Sequence, residues 1–161
     1  MDGGTQRLAD ELAIRDVLHR YALGLDRRDR EMLRACFTEG VEAEYGGHAL
    51  PQGVDSVLSL VAGAGGFVST MHHVGTVVII ALNEETAETE HYAVAYLLGR
   101  AAGGHVLTTR GVHYTDVFRR TDAGWRIARR VHRVLWSTQA EATAAPPLPP
   151  EFLAAAGLAP R

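Results

Sequence analysis

From Met71 to Ser137 the sequence is almost continuously β-forming, and short turns divide it into four long runs. Met71–Leu82 is β-branched and apolar, and Asn83–Glu85 turns the chain. Ala87–Leu98 is the second run, and Arg100–His105, with Gly103-Gly104, forms a loop. Val106–Arg119 is the third, Arg120–Gly124 turns, and Trp125–Ser137 is the fourth. Strands joined by turns this short pair as an antiparallel meander. Such a sheet needs cover on one face, and three helical patterns precede it. The expected fold class is therefore α+β.

The cover is legible as helical spacing. Leu8, Leu12, Val17, Leu18 and Tyr21 predict an amphipathic helix over about residues 6–24. Gly24 loosens its end, and Asp26 follows. Met32, Leu33, Cys36 and Phe37 predict a second, short helix near Asp29–Phe37. Val41–Tyr45 reads as a short strand closed by Gly46-Gly47. Val54, Val57, Leu58, Leu60 and Val61 suit a third helix over residues 54–63, ended by the run Gly63–Gly66. No internal repeat is present. After Gln139 the composition turns Ala/Pro-rich. Ala142–Pro150 is expected to be an extended tail, and Glu151–Leu158 suits one or two helical turns. The expected organisation is one domain over residues 1–140 and a tail over 141–161.

Composition excludes several functions. A length of 161 residues fits a single domain. The net charge of −3 gives no general pull toward nucleic acid or an anionic membrane. Arg100–Arg133 holds eight arginines against Asp116 and Asp122, either a basic sheet face or a solvated face balanced by Glu84–Glu90. The chain has no lysine, which removes Schiff-base chemistry and the P-loop phosphate lysine. Cys36 is the only cysteine, so no intrachain disulfide forms and a reducing cytoplasm suits the chain. The polar stretch Met1–Asp10 has no apolar signal region, and no run approaches the roughly 20 apolar residues of a membrane span. Eight histidines show neither an i, i+4 helical pair nor H-x-H, so no metal site is expected. No cofactor is expected either, for GxGxxG after a strand and the P-loop are both absent.

Strand alternation sorts the candidate site residues. His72 and His73 are neighbours, so only one can enter a pocket, and the spacing to Gly75 favours His73. On the last strand Arg130, His132 and Val134 share one face and Trp125, Ile127 and Arg129 the other. Arg130 suits an anionic group or developing oxyanion, or else a surface salt bridge. On the third strand His113 shares a face with Thr115 and Val117, a possible second pocket base if that face points inward. Ala93 and Ala95 leave room for a ligand or for close helix packing. Tyr21 suits a substrate hydrogen bond or a core aromatic.

Three separated blocks carry a resemblance: IRDVLHRYALGLDRRDREMLRACF at Ile14–Phe37, HHVGT at His72–Thr76 and HYTDVFRRTDAGWRIARR at His113–Arg130. In this order they resemble the SnoaL-like branch of the nuclear transport factor 2-like superfamily, over about residues 8–137. The resemblance implies a cone-shaped α+β barrel, a curved, mostly antiparallel sheet wrapped around three N-terminal helices with a deep pocket. The branch includes scytalone dehydratase, bile-acid dehydratase and hexachlorocyclohexane dehydrochlorinase, with isomerases, epoxide hydrolases and polyketide cyclases on similar folds. In the dehydratase-like members an aspartate after the first helix pairs with a histidine on the first meander strand. Asp26 and His73 fit those positions, Tyr21 fits a helper tyrosine, and Arg130 fits a pocket arginine. His113 and His132 are further pocket candidates. The second acid of the bile-acid enzyme has Ala95 at its place, and no one member's full catalytic set is reproduced.

The resemblance thus implies a cofactor-independent enzyme using Asp–His acid–base chemistry on a small hydrophobic substrate, by dehydration or isomerisation. The alternatives are a polyketide cyclase or epoxide hydrolase, in which Asp26 acts alone or activates a water, and a non-catalytic binding or interaction module. A cytoplasmic homodimer, paired through the open sheet face, is the expected assembly, with neither nucleic acid nor membrane as partner.

Overall fold

The computed structural model describes residues 3–62, 66–145, 149–155 and 157. The expected helix stop at Gly63–Gly66, apart from Gly66, and part of the Ala/Pro tail lie outside these residues. Helix α1 (Gly3–Arg27) leads to α2 (Arg30–Arg34), strands β1 (Phe37–Tyr45) and β2 (His48–Ala49), and α3 (Val54–Ala62). The meander follows as β3 (Phe67–Leu82), β4 (Thr86–Ala101), β5 (Gly104–Thr121) and β6 (Gly124–Ala142). A short α4 (Pro150–Ala155) comes last. One six-stranded sheet has the order β2-β1-β6-β5-β4-β3, antiparallel throughout except for the parallel β1–β6 pair. The fold is α+β, and the sheet is not closed, since β2 and β3 remain as edges.

The stripe that docks α1 is Asp10, Ile14, Val17, Leu18 and Tyr21, at the i, i+4, i+7 spacing of one helical face. Leu8 and Leu12, expected in that stripe, lie off it and are exposed. Ile14, Val17 and Leu18 are fully enclosed, each contributing about 1.5–3 kcal/mol of apolar burial. The buried carboxylate of Asp10 accepts from Trp125 Nε1 at 3.0 Å and pairs with Arg120 at 2.5 Å. Burial opposes its charge, but these partners win and hold the carboxyl below its usual range.

Helix α2 is shorter than its apolar spacing predicts. The Asp29 side chain caps its start by accepting from Met32 N at 2.9 Å. Its end is set by β6, for Ile127 N donates to Cys36 O at 2.8 Å and Phe37 enters the sheet beside Ile127. The four meander strands also run beyond their predicted ends. In particular, β6 continues to Ala142, pairing Glu141 with Val106 and Ala142 with His105.

Register across the sheet arranges its inner face in rows. Ala87, Phe118, Ile127 and Phe37 are in line and form the apolar base. Next come Thr89, Asp116, Arg130 and Ala43, then His91, Tyr114, His132 and Tyr45. Beyond them lie Val74, Ala93, Val112 and Val134, and then His72, Ala95, Arg110 and Ser137. Bulges set this phasing. On β3, Val74 and Val77 are three residues apart while their partners Ala93 and His91 are two apart. On β6, Ala128 is the extra residue between Ile127 and Arg129, which face Phe118 and Val117.

Candidate active site

Asp26 lies in the last turn of α1, next to β3. His72 Nδ1 stands 2.7 Å from Asp26 Oδ1. The His72 backbone N–H donates to Oδ2 at 2.9 Å, and Thr70 Oγ1 donates to Oδ1 at 2.9 Å. An ionised carboxylate only accepts, so the proton of neutral His72 sits on Nδ1 and its lone pair is on Nε2. After Asp26 the chain reverses at Arg28, whose φ of 54° is left-handed. A non-glycine residue in that conformation is strained, and such strain gathers at functional sites. Arg28 Nη2 donates to Phe67 O at 2.6 Å, tying the reversal to β3.

His72 opens onto a cavity of about 380 Å³. Leu25, Leu60, Val61, Phe67, Leu97, Val112 and Val134 give it apolar walls. Its polar lining comes from Tyr21, Tyr45, Thr70, His132, Arg110 and Arg28. The small side chain of Ala95, opposite His72, leaves the space open. This volume falls within the roughly 300–1,000 Å³ of small-molecule sites. A larger depression of about 450 Å³ lies between α2, β1 and β6, but its Arg34 is tied to Glu39 and Asp55 and no imidazole lines it.

A stacked row bounds one end of the cavity. His91 stacks on Tyr114 at 4.6 Å, Tyr114 meets His132 edge-on at 5.2 Å, and His132 stacks on Tyr45 at 4.8 Å. Tyr45 and Tyr21 share a hydroxyl hydrogen bond of 3.1 Å. Burial pushes the phenols of Tyr21, Tyr45 and Tyr114 up, so all three stay protonated. Burial, joined by the Arg130 charge, lowers His91 to about 3 and His132 to about 4. Both imidazoles are therefore neutral near pH 7.

Beneath this row Arg130 grips Asp116 with two hydrogen bonds, Nε to Oδ1 at 2.7 Å and Nη2 to Oδ2 at 2.6 Å. Both side chains are fully enclosed. Burial opposes the Arg130 charge, but Asp116 outweighs it and holds the guanidinium well above its usual range. The guanidinium also sits 4.2 Å from the Tyr21 ring centre and 4.6 Å from that of Tyr114. Cys36 is no nucleophile here, for burial pushes its thiol up to about 11 and it donates to Met32 O at 3.2 Å.

Residues 6–131 match the SnoaL-like domain family. The chain is a SnoaL-like domain. No curated protein matches its sequence at a significant level. Among solved structures, a scytalone dehydratase-like protein from Novosphingobium aromaticivorans superposes with a TM-score of 0.74 at 24% identity, covering 90% of this chain and 97% of that one. A type-3 hexachlorocyclohexane dehydrochlorinase from Novosphingobium barchaimii gives 0.76 at 20% identity, over 90% and 100%. A nuclear transport factor 2-like protein with a cystatin-like fold, from Novosphingobium aromaticivorans, gives 0.66 at 25% identity, over 81% and 85%.

The SnoaL-like chain places its sequence-predicted residues unevenly. Tyr21 and His132 line the cavity. The imidazole beside Asp26 belongs to His72, not His73, which is exposed on the outer face opposite Val94. The cause is the bulge at Gly75–Thr76, which shifts the side-chain phase between Val74 and Val77. His113 also turns outward, beside the Tyr92 ring at 5.0 Å, because Tyr114, Asp116 and Phe118 take the inner face. Arg130 lies under the cavity instead of lining it, held by Asp116. Regular alternation puts Trp125 and Ile127 opposite Arg130 and His132, but the Ala128 bulge puts all four inside. Sequence reasoning missed Tyr45, Thr70, Arg110 and Asp116. An inward Tyr45 was signalled by its two-residue spacing from Ala43 on β1, but nothing in the sequence marked its pairing with His132.

Proposed function

We propose that this cavity serves a cofactor-independent lyase of the dehydratase or dehydrochlorinase kind, acting on a small hydrophobic molecule. One observation carries the reading: the 2.7 Å Asp26–His72 contact at the wall of a largely apolar cavity. In this reading Asp26 positions His72, and His72 Nε2 takes a proton from a substrate carbon. The C–H electron pair becomes the new double bond as the bond to the neighbouring leaving group breaks. A departing hydroxide takes its proton from the Tyr21–Tyr45 pair and leaves as water, whereas a halide leaves unassisted. After loss of water the His72 proton returns to the tyrosine through solvent; after loss of a halide it is released to solvent, and either way the site is restored. Support comes from the fold shared with two proteins whose names denote loss of water and of hydrogen chloride.

The test is turnover on a panel of β-hydroxy carbonyl and halogenated substrates. His72→Ala is expected to abolish it and His73→Ala to leave it intact. Near-native turnover in His72→Ala sinks the reading. If Asp26→Asn is then dead, the cyclase or epoxide hydrolase chemistry takes its place.

Met71, Val78, Ile80, Tyr92 and Trp136 are exposed and lie on strands of the one sheet, which supports pairing with a second copy. Light scattering that finds only monomer at tens of micromolar would remove the homodimer. No helix among the described residues is long and apolar enough to cross a membrane.

A further inference from the structure

His72, Ala95, Arg110 and Ser137 stand in one row across β3, β4, β5 and β6. Adjacent strands are about 4.8 Å apart, so His72 and Arg110 are separated by about 10 Å of backbone. Only the Ala95 methyl stands between them. The row therefore holds an imidazole at one end of a gap and a guanidinium at the other.

Arg110 is exposed and lines the cavity. Among the described residues it makes no ion pair. No carboxylate among the described residues lines the cavity, and Asp26 and Asp116 are both engaged, Asp26 by His72 and Thr70, and Asp116 by Arg130. Arg28 adds a second positive charge to the lining, fixed by its bond to Phe67 O. The cavity thus presents two guanidinium groups with no carboxylate of their own, beside neutral hydroxyl and imidazole groups. A guanidinium matches a carboxylate as a two-pronged donor.

We propose that the cavity takes an organic acid, with its hydrophobic body over Ala95 and its carboxylate held by Arg110 across from His72. The inference rests on the elimination reading for the role of His72, but the binding it predicts does not require turnover.

The experiment is calorimetric titration of the full chain with naphthalene-2-carboxylate and with naphthalene-2-carboxamide, matched in shape and differing in charge. The carboxylate is expected to bind at least about tenfold tighter, a preference that shrinks at high salt. In Arg110→Gln the preference falls to within about twofold, while Arg110→Lys keeps part of it. His72→Ala keeps it in full, so loss of catalysis and loss of acid recognition are separable. Equal affinity for the two probes overturns the proposal. So does a carboxylate that fails to bind at millimolar concentration, or a preference that survives Arg110→Gln. A preference lost in Arg28→Gln and not in Arg110→Gln overturns the assignment of the anchor.

Discussion

Two carboxylates on the cavity side of this sheet each hold a nitrogen base, and they differ in what surrounds them. The Asp116 and Arg130 side chains are both 0% exposed, whereas His72 and Asp26 keep 14% and 19%. The enclosed pair has a permanently charged member and cannot trade a proton with a ligand. The other has a titratable ring at a cavity wall. The enclosed pair braces Tyr21 and Tyr114 from below, and the cavity pair meets whatever enters from above. Geometry alone does not separate them, since both contacts are near 2.7 Å; solvent access and the chemistry of the base do.

The largest effect that sharpens this contrast is structural. Asp116→Ala leaves a buried, unpaired guanidinium, and urea unfolding is expected to show about 3–5 kcal/mol lost. A loss under about 1 kcal/mol would mean that the enclosed pair braces nothing. His72→Ala should do the reverse, lowering kcat about 10²–10⁴-fold while stability moves by less than about 1 kcal/mol. Comparable losses in both assays would erase the division of labour.

Acid titration reads the row between the two pairs. His91 and His132 are held at about 3 and about 4, below the usual histidine value, so the unfolded chain binds protons first. Their contribution is complete above about pH 6.5 and is lost as pH falls toward 4 and then 3, on the order of a few kcal/mol. His91→Phe keeps the stack on Tyr114 and should flatten that fall; an unchanged slope would show that His91 is not what titrates. Tyr45→Phe removes the hydroxyl shared with Tyr21. It is expected to cost about tenfold or more in kcat but under about 1.5 kcal/mol in stability. Leu12→Ser, on the exposed side of α1, should change neither assay by more than about 0.5 kcal/mol.

The sequence made the architecture legible because periodicity survives without knowledge of contacts. The four strands, the helix under them and the small residues Ala93 and Ala95 could all be read that way. Phase could not. A bulge adds one residue with no obligatory sequence mark, and every residue beyond it changes face. The spacing to Gly75 points to His73, but the bulge at Gly75–Thr76 breaks the alternation there and His72 faces inward instead. The Ala128 bulge similarly moved Trp125 and Ile127 beside Arg130 and His132. Leu8 and Leu12 misled for another reason: apolar side chains also occur on exposed helix faces, and the stripe anchored on Ile14 and Leu18 excludes them.

The adjacent histidines give the bulge on β3 a further meaning. If that extra residue migrated to the N-terminal side of His72, the strand between would rotate by one position and carry His73 inward. Asp26 would then face a different imidazole of the same kind. With two histidines side by side, a one-residue move of the bulge would exchange one imidazole for another beside Asp26, where elsewhere on the sheet it would exchange side chains of different kinds.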